Sequence, residues 1–166
     1  MPNKCRLLLV AGVSGSGKST IGSMLASQIG WEFHDGDSYH PAVNVEKMRS
    51  GMPLDDTDRV PWLAAMRAAI EACLRDGRGA VFVASALKET YRNALCDGLD
   101  EIGLVFLHGD FELIRARMEA RQGHYMAAGM LESQFELIEW PEGALEIDVR
   151  GTPEEAVQNI RAHFGL

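Results

Sequence analysis

No apolar run in this sequence approaches the roughly 18 residues needed to cross a bilayer as a helix, so a membrane-spanning protein is not expected. The start, Met1-Pro2-Asn3-Lys4-Cys5-Arg6, is basic but lacks a small-residue cleavage site, and the apolar stretch after it reads as a first strand rather than a signal peptide. Cysteine is scarce: Cys5, Cys73 and Cys96 are odd in number, far apart and without metal-ligand spacing. That excludes a disulfide framework and fits reduced thiols in a cytoplasmic protein. Positive charge is outweighed, with a formal net charge of -8, and no basic, aromatic-studded surface is visible. A phosphate-backbone partner is therefore not expected, which excludes nucleic acid, although a local basic cluster could hold a small anion. Internal repeats, low-complexity tracts and interdomain linkers are absent, and 166 residues suffice for one domain with a core of its own.

What is present is a rhythm. Residues 6–11 (RLLLVA) form a continuous apolar run suited to a central parallel strand, and residues 20–29 carry a helical pattern ended by Gly30. Residues 31–34 read as a second strand, 40–50 as a short helix, and 61–75 as a longer helix with Pro61 in its first turn. Strands at 79–84, 103–108 and 144–149 alternate with helices at 88–95, 111–121, 130–138 and 153–164. The alternation predicts an α/β fold: a parallel sheet of about five strands with helices on both faces.

The strongest local signal is Gly12-Val13-Ser14-Gly15-Ser16-Gly17-Lys18-Ser19, a G-x-x-x-x-G-K-S string between a strand and a helix that begins near Thr20. Its glycines allow the backbone N–H groups to turn inward, and the following helix adds its positive end. In such a P-loop Lys18 reaches the β- and γ-phosphates of ATP and Ser19 ligates Mg²⁺. At the end of the second strand stands Asp35-Gly36-Asp37. One carboxylate there could hold a metal-bound water while the other takes the proton of an attacking hydroxyl; the same tripeptide also suits a solvated turn. Arg59, Lys88, Arg92, Arg117 and Arg121 recur in loops or at helix starts, where a cluster would grip a substrate carboxylate or the transferring phosphoryl. Arg117 and Arg121 share a helix face ahead of Gly123 and His124, so residues 121–130 suit a small lid; an exposed amphipathic helix with a glycine cap fits the same residues. His34, His40 and His124 match no zinc spacing, and the tryptophans and methionines read as packing groups.

These residues carry a resemblance to the gluconokinase family, relatives of shikimate kinase. It runs through VSGSGKS (13–19), DGDSYHP (35–41), Asn44 with Glu46-Lys47-Met48, GMPLDDTDRVPWL (51–63), SALK (85–88), Tyr91-Arg92, Gly109-Asp110, RQGHY (121–125) and Ser133-Gln134-Phe135. A P-loop alone is shared by many activities; this ordered combination is specific. The resemblance implies phosphorylation of D-gluconate at its 6-hydroxyl by ATP and Mg²⁺, in a homodimeric cytoplasmic enzyme. It places Asp37 as the base, with Asp35 on the metal side and, with His40, lining the same pocket. Arg59, Lys88 and Arg92 would hold the gluconate carboxylate and hydroxyls, His124 and Gln134 would close the pocket, and Arg117 and Arg121 would face the phosphates. The adenine loop would fall at Gly151, Thr152 and Pro153, after a stretch (141–149) shorter than is usual in the family. Competing readings are a P-loop kinase for shikimate or another sugar acid, and a nucleotide switch with no acceptor.

Overall fold

The computed structural model describes residues 4–121 and 128–166. Leu7–Ala11 (β1) is buried along its whole length, as a strand covered on both faces must be. It lies between Ala80–Ala84 (β3) and Ile102–His108 (β4), while Glu32–Asp35 (β2) and Leu145–Asp148 (β5) form the edges. The order is β2-β3-β1-β4-β5 and every pairing is parallel, with Leu9 opposite Phe82 on one side and Leu104 on the other. Leu7, Leu8 and Leu9 have no exposed surface, and burying each is worth about 1.5–3 kcal/mol.

Helices Lys18–Ile29 (α1), Ala42–Arg49 (α2), Asp56–Arg75 (α3), Glu89–Cys96 (α4), Phe111–Ala120 (α5), Ala128–Leu137 (α6) and Pro153–Phe164 (α7) fill the intervals. The loops after β1, β2 and β3 all emerge at the carboxyl edge of the sheet. There the chain reverses its direction of winding, and open parallel sheets bind ligands at that edge. Among the described residues no helix is long and apolar enough to cross a membrane.

Two elements depart from the sequence expectation. A single 3₁₀ turn, Gly36–Tyr39, separates β2 from α2. Helix α3 begins at Asp56, well before Pro61, because Asp55 and Asp58 form a reciprocal cap: each carboxylate accepts the other's backbone N–H, at 2.7 and 3.0 Å. Pro61 consequently lies in the second turn, not the first.

Candidate active site

The loop from Gly12 to Gly17 wraps over the start of α1. Gly17 caps that helix in the left-handed region (φ 97°), a conformation that favours glycine, and no side chain caps the free N–H groups behind it. No acidic residue stands in the first turn. The result is a set of unsatisfied donors at the positive end of a helix, an anion cradle. Gly15 is also needed for space, since a Cβ there would lie 2.6 Å from Met118 Cγ. Ser16 is fully buried and its hydroxyl has no partner among the described residues, a polar group poised for a ligand.

Lys18 is half-buried and its ammonium donates to the Val13 carbonyl at 2.8 Å. Burial pushes its pKa down to about 8; Asp37 and Asp35 oppose that shift and Arg121 adds to it. The phosphate cavity is lined by the P-loop residues Ser14, Gly15, Gly17, Lys18 and Ser19 together with Asp35, Asp37 and Arg121. Ser19 and Asp35 thus bring a hydroxyl and a carboxylate to the same cavity, the hard oxygens that suit Mg²⁺. The residues fit both a polyphosphate and its metal ion.

A second cavity adjoins the first. Ser14, Lys18 and Asp37 line both, and the second is completed by His40, Arg59, Trp62, Tyr91, Ser85 to Leu87 and Gln134, with Met48, Leu54 and Met130 on its apolar side. Asp37 is set by the turn after β2, where its N–H donates to Asp35 Oδ1 at 3.0 Å and Ser38 Oγ donates to the Asp35 carbonyl at 2.7 Å. Trp62, expected only to pack, donates its indole N–H to the Gly36 carbonyl at 2.8 Å and stacks on His40 with centroids 4.4 Å apart. His40 is kept neutral, its pKa lowered to about 4 by burial and by the Arg59 cation. Arg59 donates to the Leu54 carbonyl at 2.6 Å and to Tyr91 Oη at 3.0 Å. Tyr91 Oη in turn donates to Asp56, which also pairs with Lys88 at 3.1 Å, so Arg59 and Lys88 flank one phenol ring. Gln134 reaches back from α6 to accept the Ser14 backbone N–H at 2.7 Å.

Other expected residues are not gathered into these cavities. Arg92 is buried, and its guanidinium donates to the carbonyls of Ala86, Leu87 and Glu139 at 2.7–3.0 Å. It fixes the loop after β3 instead of facing the acceptor. Truncating it leaves three carbonyls without that donor, two of them buried, so Arg92→Met is expected to lose about 2 kcal/mol of stability in a denaturant melt. Lys88 stands behind Tyr91 rather than on the cavity wall. Arg117 and Thr20 are exposed, and the Thr152 hydroxyl caps α7 by accepting the Glu155 N–H at 3.2 Å, with Pro153 opening that helix. His124, and most of the expected lid at 121–130, lie outside the described residues. Elsewhere, Glu32, His34 and Cys73 bring ligand-type atoms within 4.8 Å of one another. Both Glu32 oxygens are already taken by Arg78 at 2.7 and 2.8 Å, and burial raises the Cys73 pKa.

A P-loop that opens into a second cavity through a shared lysine and aspartate is the layout of a phosphotransferase. Comparison with known proteins agrees. A family model described as an AAA domain matches residues 7–138. The thermoresistant gluconokinase of Escherichia coli is 46% identical over 143 residues, covering 86% of this chain and 81% of its own. The chain belongs to the gluconokinase family. Among solved structures, a gluconokinase from Sinorhizobium meliloti superposes with a TM-score of 0.85 at 38% identity, covering 95% of this chain and 90% of its own. An unliganded sugar kinase from a Janibacter species gives 0.90 at 37% identity, covering 95% and 93%. As a family member with this P-loop, the protein is an ATP-dependent phosphotransferase of carbohydrate chemistry.

The gluconokinase motifs also explain what residue-by-residue reading passed over. Trp62 belongs to the PWL string and Tyr91 precedes Arg92, yet neither residue type announces a polar contact by itself. Asp56 lies in an acidic run that reads as solvated surface, and its role depends on Tyr91, which is 35 residues away.

Proposed function

We propose that this kinase transfers the γ-phosphoryl group of ATP to the 6-hydroxyl of D-gluconate, giving 6-phospho-D-gluconate and ADP. The observation that carries the reading is the shared wall of the two cavities: Lys18 and Asp37 border the phosphate cradle and the acceptor pocket at once. A hydroxyl seated in the second cavity would meet the carboxylate on its way to the phosphoryl group. The names of the relatives support gluconate as the acceptor.

In this reading the P-loop amides and Lys18 bind the β- and γ-phosphates, Arg121 covers them, and the attacking hydroxyl gives its proton to Asp37. Ser19 and Asp35 would hold Mg²⁺, which when bound neutralises charge on the phosphates. Arg59 and the neutral His40 orient the sugar acid, the cation toward its carboxylate. Catalysis rests on positioning and charge neutralisation, with no covalent enzyme intermediate. We also place the protein in the cytoplasm as a homodimer, with the whole chain acting as one kinase domain whose product enters gluconate utilisation.

Product analysis tests the assignment. After incubation with ATP, Mg²⁺ and D-gluconate, phosphorus NMR is expected to show a phosphomonoester coupled to the C6 methylene protons. A phosphate at any other carbon contradicts the reading. Arg59→Ala is expected to raise the KM for gluconate about tenfold or more, the loss of one charge-assisted contact, while ATP binding persists; an unchanged KM would remove Arg59 from the pocket.

The depressed pKa of Lys18 carries a pH consequence. Below about 8 the ammonium is charged before and after nucleotide binding; above it, the free protein carries a neutral amine that the phosphates must reprotonate. ATP binding is therefore expected to take up little proton through Lys18 at about pH 7 and close to one at about pH 9. Affinity falls by up to about tenfold per unit across that upper range. Calorimetry in buffers of different ionisation heat reads the proton count directly.

A further inference from the structure

Asn44 is 1% exposed, in the first turn of α2, and no part of the mechanism above uses it. Its side-chain nitrogen lies 2.8 Å from the Asp58 backbone carbonyl and 3.2 Å from His40 Nδ1. The carbonyl settles the chemistry. An oxygen of that kind only accepts, so the atom facing it must be the amide NH₂, and the orientation of the carboxamide is determined. The same NH₂ has a second hydrogen and no acceptor lone pair, so the ring nitrogen it meets must accept. His40 Nδ1 therefore carries no proton, and in the neutral ring the proton sits on Nε2.

The rest of the ring's surroundings agree. His40 is stacked against Trp62 at an interplanar angle of 10°, and Trp62 is itself held by its bond to the Gly36 carbonyl, so the imidazole has a fixed plane as well as a fixed tautomer. The charged groups that share its cavity are Arg59, Lys18 and Asp37. Arg59 disfavours a second proton on the ring. His40 lines the acceptor cavity, and among the described residues no protein group pairs with Nε2.

We propose that Asn44 is a positioning residue for the acceptor: it locks His40 as the Nε2–H tautomer, so that His40 offers the substrate a neutral hydrogen-bond donor. The matching substrate group is an oxygen with a free lone pair, a hydroxyl or a carboxylate. The assignment to substrate rests on the proposed sugar-acid acceptor; the tautomer does not. It also makes the roles in the pocket unequal. His40 has its lone pair committed to Asn44, so it cannot take the hydroxyl proton, and that task is left to Asp37.

The first test is spectroscopic and needs no substrate. In protein labelled with ¹⁵N-histidine, with His40 assigned by its disappearance in His40→Gln, Nδ1 is expected at the pyridine-like position and Nε2 at the pyrrole-like one. A protonated Nδ1, or a mixture of tautomers, overturns the proposal. In Asn44→Ala the two tautomers are expected to mix, and the KM for the acceptor to rise about tenfold, the loss from an unfixed hydrogen bond, with the KM for ATP unchanged. His40→Gln removes the ring on which Asn44 acts, so it is expected to raise the acceptor KM at least as much as Asn44→Ala does, and adding Asn44→Ala to it to change the acceptor KM no further. An additional tenfold loss in that background would mean that Asn44 acts through the fold and not through His40. Should Asn44→Ala fail to fold, the wild-type spectrum still decides; should gluconate prove inert as acceptor, the spectrum stands and only the substrate assignment falls.

Discussion

Lys18→Met is expected to lower kcat by a factor on the order of 10³ or more, with the fold intact by circular dichroism. Methionine fills the volume of the lysine stem but removes the one cation that, among the described residues, lines both cavities. The effect is large because the ammonium is half-buried, where a charge acting on a phosphoryl group is screened far less than in water. Its electrostatic partners explain how it is held there: Asp37 and Asp35 favour the charged form, opposing the burial that would discharge it. Loss of the lysine is expected to leave a weakly binding, nearly inactive enzyme. A residual kcat within tenfold of wild type would show that the phosphate contacts are made elsewhere.

Asp37→Asn is the second large effect, a fall in kcat of about 10²–10⁴ with nucleotide affinity retained, as expected when a general base is removed. The substitution is close to isosteric and spares the backbone N–H that Asp37 donates to Asp35, so the turn after β2 survives. Among the described residues no other carboxylate lines the acceptor cavity, and Asp35 lines only the phosphate side. His40 is neutral but has its free lone pair turned to Asn44, and Arg59 and Lys18 are cations. If Asp37→Asn reduced ATP binding as much as turnover, the carboxylate would belong to the phosphate side, with Asp35.

The order of the elements was legible because the sheet is parallel and buried. RLLLVA and GAVFVA are apolar on both faces, and helices of ordinary period fill the gaps between strands. The P-loop was legible because its function is local, carried by consecutive residues on one turn. The start of α3 was hidden because the cap uses Asp at both ends, in a run that also reads as solvated acid, while Pro61 suggests a start of its own. Arg92 shows the harder limit. An arginine after SALK reads as a substrate ligand, yet its third carbonyl partner, on Glu139, lies 47 residues away along the chain. Whether a cation is spent on the protein or kept for a ligand depends on tertiary partners of that kind. Trp62 errs in the opposite direction: its burial was expected, but its place between Gly36 and His40 turns a packing residue into part of the pocket wall.

The most direct test of the account is acceptor-dependent ADP release, measured with ATP and Mg²⁺ against D-gluconate, other aldonates, shikimate and no acceptor. Strong, selective stimulation by D-gluconate is predicted, with little ADP formed when the second cavity has no acceptor to fill it. Faster turnover of another acid would contradict the gluconate assignment, and slow ADP release indifferent to every acceptor would contradict the coupling of the two cavities through Lys18 and Asp37.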